Sequence, residues 1–112
     1  MSQPEDARPP AHYRTFVKDH PEVAQAYQAL GKAVRKAGPL TDREVMLVKL
    51  ALAVGAQHEG ATHAHVRKAR AGDVEDAAIR QVAVLGIPTL GFPSAMAALT
   101  WMNDALGSEE DR

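Results

Sequence analysis

The chain has 112 residues, 46% of them hydrophobic and 4% aromatic, with no cysteine. That length fits one domain, and the missing cysteine excludes disulfides, thiolate metal sites, a CxxC redox pair and a cysteine nucleophile. Lys and Arg number 13 against 14 Asp and Glu, a net charge of −1, so no partnership with nucleic acid or an anionic membrane is expected.

Residues 1–9 are polar and hold Pro4 and Pro9, and we expect a mobile arm there. Residues 107–112, with Glu109, Glu110 and Asp111, are expected as a mobile acidic tail. Between them, residues 10–106 are expected as a single helical domain. The N-terminus lacks an apolar signal core and no stretch suits a bilayer, so a soluble, cytoplasmic protein is expected.

Ala, Leu, Lys, Arg, Glu and Gln dominate the body, and nothing alternates as a half-buried strand would. A first helix is predicted over 11–18, with Tyr13, Phe16 and Val17 inward. Asp19-His20-Pro21 breaks it, and Pro21 suits the first turn of a second helix. That helix carries Val23, Tyr27, Leu30 and Val34 and should stop at Gly38-Pro39. Thr41 and Glu44 form a capping box for a third helix over 42–56. Val45 to Val54 make it apolar nearly all round, so it should be central and buried. Lys49 interrupts this run; it either snorkels or pairs with an anion. A fourth helix is predicted over 59–71, closed by Gly72, and a fifth from Asp73 as its N-cap. A last helix should run from Ser94 to Leu106, after the breaks at Gly86-Ile87-Pro88 and Gly91-Phe92-Pro93.

Three of the five histidines fall between His58 and His65. Histidine moves protons near neutral pH, so the window His58-Glu59-Gly60-Ala61-Thr62-His63-Ala64-His65 is where chemistry is sought. Glu59 and His63 are four apart and share a helix face. His63 and His65 differ by roughly 200° and point to opposite sides. One helix therefore cannot gather all three histidines on a single metal, and no metal or other cofactor is expected. Glu59 with His63 could supply two metal ligands only if a third came from elsewhere. The plainer reading is a surface helix start with scattered histidines. Trp101 is read as core, subunit contact or pocket wall.

The run from Lys49 to Ala69, with Gln57-His58-Glu59-Gly60 and His65-Val66-Arg67, resembles the carboxymuconolactone decarboxylase family, which includes the alkylhydroperoxidase D-like proteins. So do Gly72-Asp73-Val74-Glu75 and Leu90-Gly91-Phe92-Pro93, and the likeness covers roughly residues 20–106. The resemblance implies an all-α, six-helix bundle that assembles as homotrimers or homohexamers. Redox members of that family carry Cys-x-x-Cys-x-x-x-His. Its cysteines would fall on His58 and Ala61 and its histidine on His65, so thiol peroxidase chemistry is not expected. A family glutamate on the preceding helix would fall on Met46, two residues from Glu44. The lactone-decarboxylating branch keeps a histidine where His65 stands.

That resemblance implies a decarboxylase-like lyase acting on a small acidic or lactone-like compound. His65 would be the proton donor or acceptor, with Glu59 and His63 beside it. Lys49, His58 and Trp101 would bind substrate. Two other readings stay open: a non-catalytic oligomeric ligand binder or scaffold, and a metal site built on Glu59 and His63.

Overall fold

The computed structural model describes residues 10–107. The expected arm at 1–9 and the acidic residues after Gly107 lie outside the described residues. The chain is all-helical, and no strand occurs among the described residues. Among the described residues, six helices have nine residues or more: α1 (Ala11–Asp19), α2 (Pro21–Arg35), α3 (Asp42–Gly55), α4 (Glu59–Ala71), α5 (Asp76–Leu85) and α7 (Phe92–Leu106). A four-residue turn, α6 (Ile87–Leu90), stands between the last two. None of the described helices is long and apolar enough to cross a membrane. The chain divides into two compact units, with the boundary between Asp42 and Arg43.

The first unit holds α1 and α2. The amides of Tyr13 and Arg14 start α1 on the Pro10 carbonyl. Tyr13 and Val17 are half-buried, whereas Phe16 is exposed and tilts against the His20 ring at 5.1 Å. Pro21 opens α2, where its missing N–H costs nothing. Lys32 and Arg35 in its last turn suit the negative end of the helix dipole. Val23, Tyr27, Leu30 and Val34 form an exposed apolar stripe. The helix ends at Arg35, short of the expected Gly38-Pro39.

The second unit is built around α7, which packs on both α4 and α5. Ala95, Ala98, Met102 and Leu106 repeat every three or four residues along it, and all are buried. Facing them are Val66 and Ala69 of α4 and Ile79 and Ala83 of α5, with Leu50 and Val54 of α3 completing the core. The alanines at these contacts let helices approach closely. Polar links tie the elements at their edges. Arg70 donates to the Leu106 carbonyl at the end of α7 (3.2 Å) and reaches Asp76 at the start of α5 (3.6 Å). Arg80 of α5 donates to Asn103 Oδ1 of α7 at 2.9 Å.

Three local expectations are corrected. Asp73 does not cap α5; it adopts φ 66° after α4, and Glu75 is the N-cap. The reason is that the Asp73 and Val74 amides are already used, turning back onto Arg70 and Ala69 carbonyls. The last helix starts at Phe92 rather than Ser94, because Gly91 at φ 97° makes the turn and Pro93 fits the first turn. Helix α3 buries Leu50, Ala53 and Val54 but exposes Val48 and Leu52, so it is buried on one side only.

Candidate functional site

The histidine window begins at the turn from α3 into α4. Helix α3 ends with the Gln57 amide on the Val54 carbonyl and the His58 amide on the Ala53 carbonyl. This closing pattern needs a left-handed residue, usually glycine. Here it is Gln57, at φ 57°, whose side-chain amide also donates to Val54 O at 2.8 Å. His58 follows as the N-cap of α4, extended and without a side-chain capping bond. Its carbonyl accepts from the Thr62 amide at 2.9 Å and the Thr62 hydroxyl at 2.8 Å. Thr62 is fully buried, so this double bond fixes how α4 leaves the turn.

Thr62, Val66 and Ala69 mark the buried side of α4. At about 100° per residue, His65 stands to one side of that stripe and His63 to the other. His63 and Glu59 share the side of Arg70, which meets α7 and α5. His65 shares its side with Ala61 and Gly72. Gly72 touches Met46 of α3: a Cβ there would lie 2.6 Å from Met46 Sδ and Cε. The start of α3 therefore meets the end of α4 on the His65 side. Lys49 lies about 60° around α3 from Met46, on that same flank.

The expected residues are thus divided. His65 and Lys49 are half-buried, on flanks of α4 and α3 that share the Met46–Gly72 contact. His65 is engaged in an interaction of its own. Glu59 and His58 are exposed at the start of α4. His63 is half-buried, and its Nε2 is buried with no hydrogen-bond partner. Trp101 packs against the core from a partly buried position. It lies about 160° around α7 from Asn103, away from the α5 contact. Among the described residues, no three His, Asp or Glu side chains gather to hold a metal.

Two residues that shape the site had no role in the sequence reading. Thr62 could have been found from its place four residues after the cap, where a hydroxyl can bond back to a carbonyl. Gln57 carries no such signal, since glutamine is not a left-handed residue by preference.

Electrostatics near the α4–α5 turn are set by a two-pronged Arg43–Glu75 pair. The hydrogen bond from Arg43 holds the Glu75 carboxyl below its usual range, helped by its own backbone and by the Arg43 charge. The same bond raises the Arg43 guanidinium further. This pair joins the start of α3 to the start of α5. With Met46–Gly72 it ties the start of α3 to the turn between α4 and α5.

Compared with known proteins, residues 21–104 match the family described as the carboxymuconolactone decarboxylase family. No curated protein and no solved structure matches the chain. The match spans three quarters of the 112 residues, and the chain belongs to the carboxymuconolactone decarboxylase family, as a member without cysteine.

Proposed function

We propose that this chain is a decarboxylase-like lyase acting on a small acidic or lactone-like compound, with His65 moving the proton. What supports the reading is that His65 is half-buried on the side of α4 whose end meets Met46, and that Lys49 is half-buried about 60° around α3 from Met46. A carboxylated lactone loses carbon dioxide when its C–C bond to the carboxylate breaks. The electron pair stays on the ring carbon, spread into the lactone carbonyl, and a proton must then reach that carbon. His65 supplies that proton and regains one from solvent. Lys49 holds the anionic end of the substrate. His58 and Ala61 stand where the redox members carry cysteines, so no thiolate is available for a peroxidase cycle. Of the other candidates, Glu59 and His63 stand on the side of α4 away from His65 and take no step in this reading, and His58 and Trp101 remain candidates for holding substrate.

The working unit is a homotrimer or homohexamer in a cytoplasmic setting. Val48, Leu52, Val84 and Leu85 of the second unit are exposed, and large apolar side chains on adjacent helices favour a subunit contact. A panel of small carboxylated γ-lactones, assayed for carbon dioxide release, tests the activity. Release from at least one supports it; none from the whole panel contradicts it. Sedimentation tests the assembly, which a monomer would refute.

A second reading is a ligand binder or scaffold without catalysis. It is favoured by the split of the histidines: His63 and Glu59 stand on one side of α4 and His65 on the other, so three polar groups do not converge. Binding of a lactone without product formation would select it.

A further inference from the structure

The first unit has two helices and almost no core of its own. Ala24 is the only buried residue of α1 and α2, and so short a helix pair does not hold together on so little burial. Its uncovered side is ordered as a seam. Val23, Tyr27, Leu30 and Val34 follow at spacings of four, three and four, so they lie within about 60° of one another around α2. They are 53% to 67% exposed. The second unit carries a matching hollow. On α3, Val48, Ala51, Leu52 and Gly55 are all exposed, within about 100° of one another. A half-open groove of about 280 Å³ runs beside them, with Ala51 and Gly55 on its α3 wall and Val82 and Leu85 on its α5 wall. A Cβ on Gly55 would meet nothing within 4 Å, so that wall is open to a large side chain. We infer that the α2 stripe of a second copy of this chain lies in this groove, with Tyr27 and Leu30 as its central side chains. The inference rests on the assembly proposed above and names the segment that covers its α3–α5 face.

Area and charge select a second copy as the occupant. Each of the two faces presents on the order of 400 Å² of apolar surface, about the largest patch an ordinary monomer exposes. In a closed assembly every copy gives its α2 stripe to one neighbour and its groove to a neighbour's stripe. Each chain then buries roughly 800 Å², which is what a standard stable interface takes from each partner. Charge sets the direction. Helix α2 ends with Lys32 and Arg35 in its last turn, and α3 begins with Asp42 and Glu44 in its first. Laid antiparallel to α3, a neighbour's α2 brings these opposite charges together, along with opposite ends of the helix dipoles. The parallel direction would instead set Glu22, in the first turn of α2, beside the two acids.

The chain has no cysteine, so introduced thiols report neighbours without background. Leu30→Cys and Leu52→Cys, on two differently tagged copies expressed together, are treated with a short bis-maleimide. A cross-link between the two tags is expected, at least about tenfold above either variant with itself. Tyr27→Glu and Leu52→Glu, one on each face, should each weaken assembly at least about a hundredfold in sedimentation. Helix content by circular dichroism should stay unchanged. Should a glutamate variant not fold, the cross-link decides alone. Cross-linking of Leu30→Cys mainly to itself would pair α2 with α2 and overturn the inference. So would a cross-link within single chains of the double variant Leu30→Cys/Leu52→Cys, which would make α2 cover its own groove. An assembled wild type with no mixed cross-link, or with folded Tyr27→Glu assembling as well as wild type, overturns this contact and leaves the assembly standing. A monomeric wild type overturns both. Carbon dioxide release is read separately, so failure of the lyase reading does not move the cross-link.

Discussion

Met46 of α3 lies against Gly72 at the end of α4, so close that a single methyl on the glycine would fall 2.6 Å from its sulfur. This contact, and not the Ala-rich composition of the two helices, decides which flank of α4 faces α3. It also puts a thioether where the family resemblance would place a carboxylate. No acidic group enters the His65 flank from that position.

A double-mutant cycle reads the contact. Gly72 has φ −90°, which any residue adopts, so Gly72→Ala alone gains about 0.4–1 kcal/mol from the unfolded state. In the wild-type background displacement of Met46 cancels that gain. With Met46→Ala, which itself costs about 1–2 kcal/mol at this half-buried site, the gain from Gly72→Ala should reappear. Denaturant titration should give a coupling of at least about 0.5 kcal/mol; strict additivity would mean the two residues do not touch.

The left-handed ends of α3 and α4 give different forecasts for one kind of substitution. Asp73→Gly removes a strained backbone conformation and should stabilise by about 0.5–1 kcal/mol. An N-cap aspartate replaced by glycine would lose a few tenths instead. Gln57→Gly relieves the same strain but forfeits the bond to Val54, so its net effect should be near zero. Gln57→Ala keeps the strain and loses the bond, and should cost about 1 kcal/mol. Thermal unfolding of the three variants should show that order.

Acid should weaken the link between the starts of α3 and α5. The Glu75 carboxyl is held below its usual value by Arg43. Its contribution is therefore complete above the unfolded carboxylate range and is lost as pH falls through the lowered folded value. Both side chains are largely exposed, so salt should screen the effect. In Arg43→Ala, an NMR titration should find the Glu75 transition moved up toward the ordinary carboxylate value. An unchanged transition would show that Arg43 does not hold it.

His63 offers a test of cost without benefit to folding. Its Nε2 is buried and unpartnered, which costs about 1–3 kcal/mol. His63→Leu should leave stability unchanged or raise it by about 1 kcal/mol. A loss above about 2 kcal/mol would place a hydrogen bond on that nitrogen after all.

Much of the fold was legible because the signals are local. Proline at 21, the threefold and fourfold spacing of apolar residues in α2 and the glycine breaks place six helices within a few residues of their observed ends. Asp73 was misread because an aspartate before a helix looks the same whether it caps that helix or ends the previous one. Only the Val74 amide, turned back to Ala69 O at 2.9 Å, tells them apart. The opposition of His63 and His65 followed from helix periodicity alone. Which of them faces α3 did not, since that depends on Met46 meeting Gly72.

The most direct measurement is carbon dioxide release by His65→Gln beside wild type, on a carboxylated lactone the wild type turns over. Glutamine keeps the shape and hydrogen bonding but cannot pass a proton, so release should fall at least about a hundredfold with sedimentation unchanged. Equal release by the variant would contradict the role of His65 and, with it, the acid–base reading of this site.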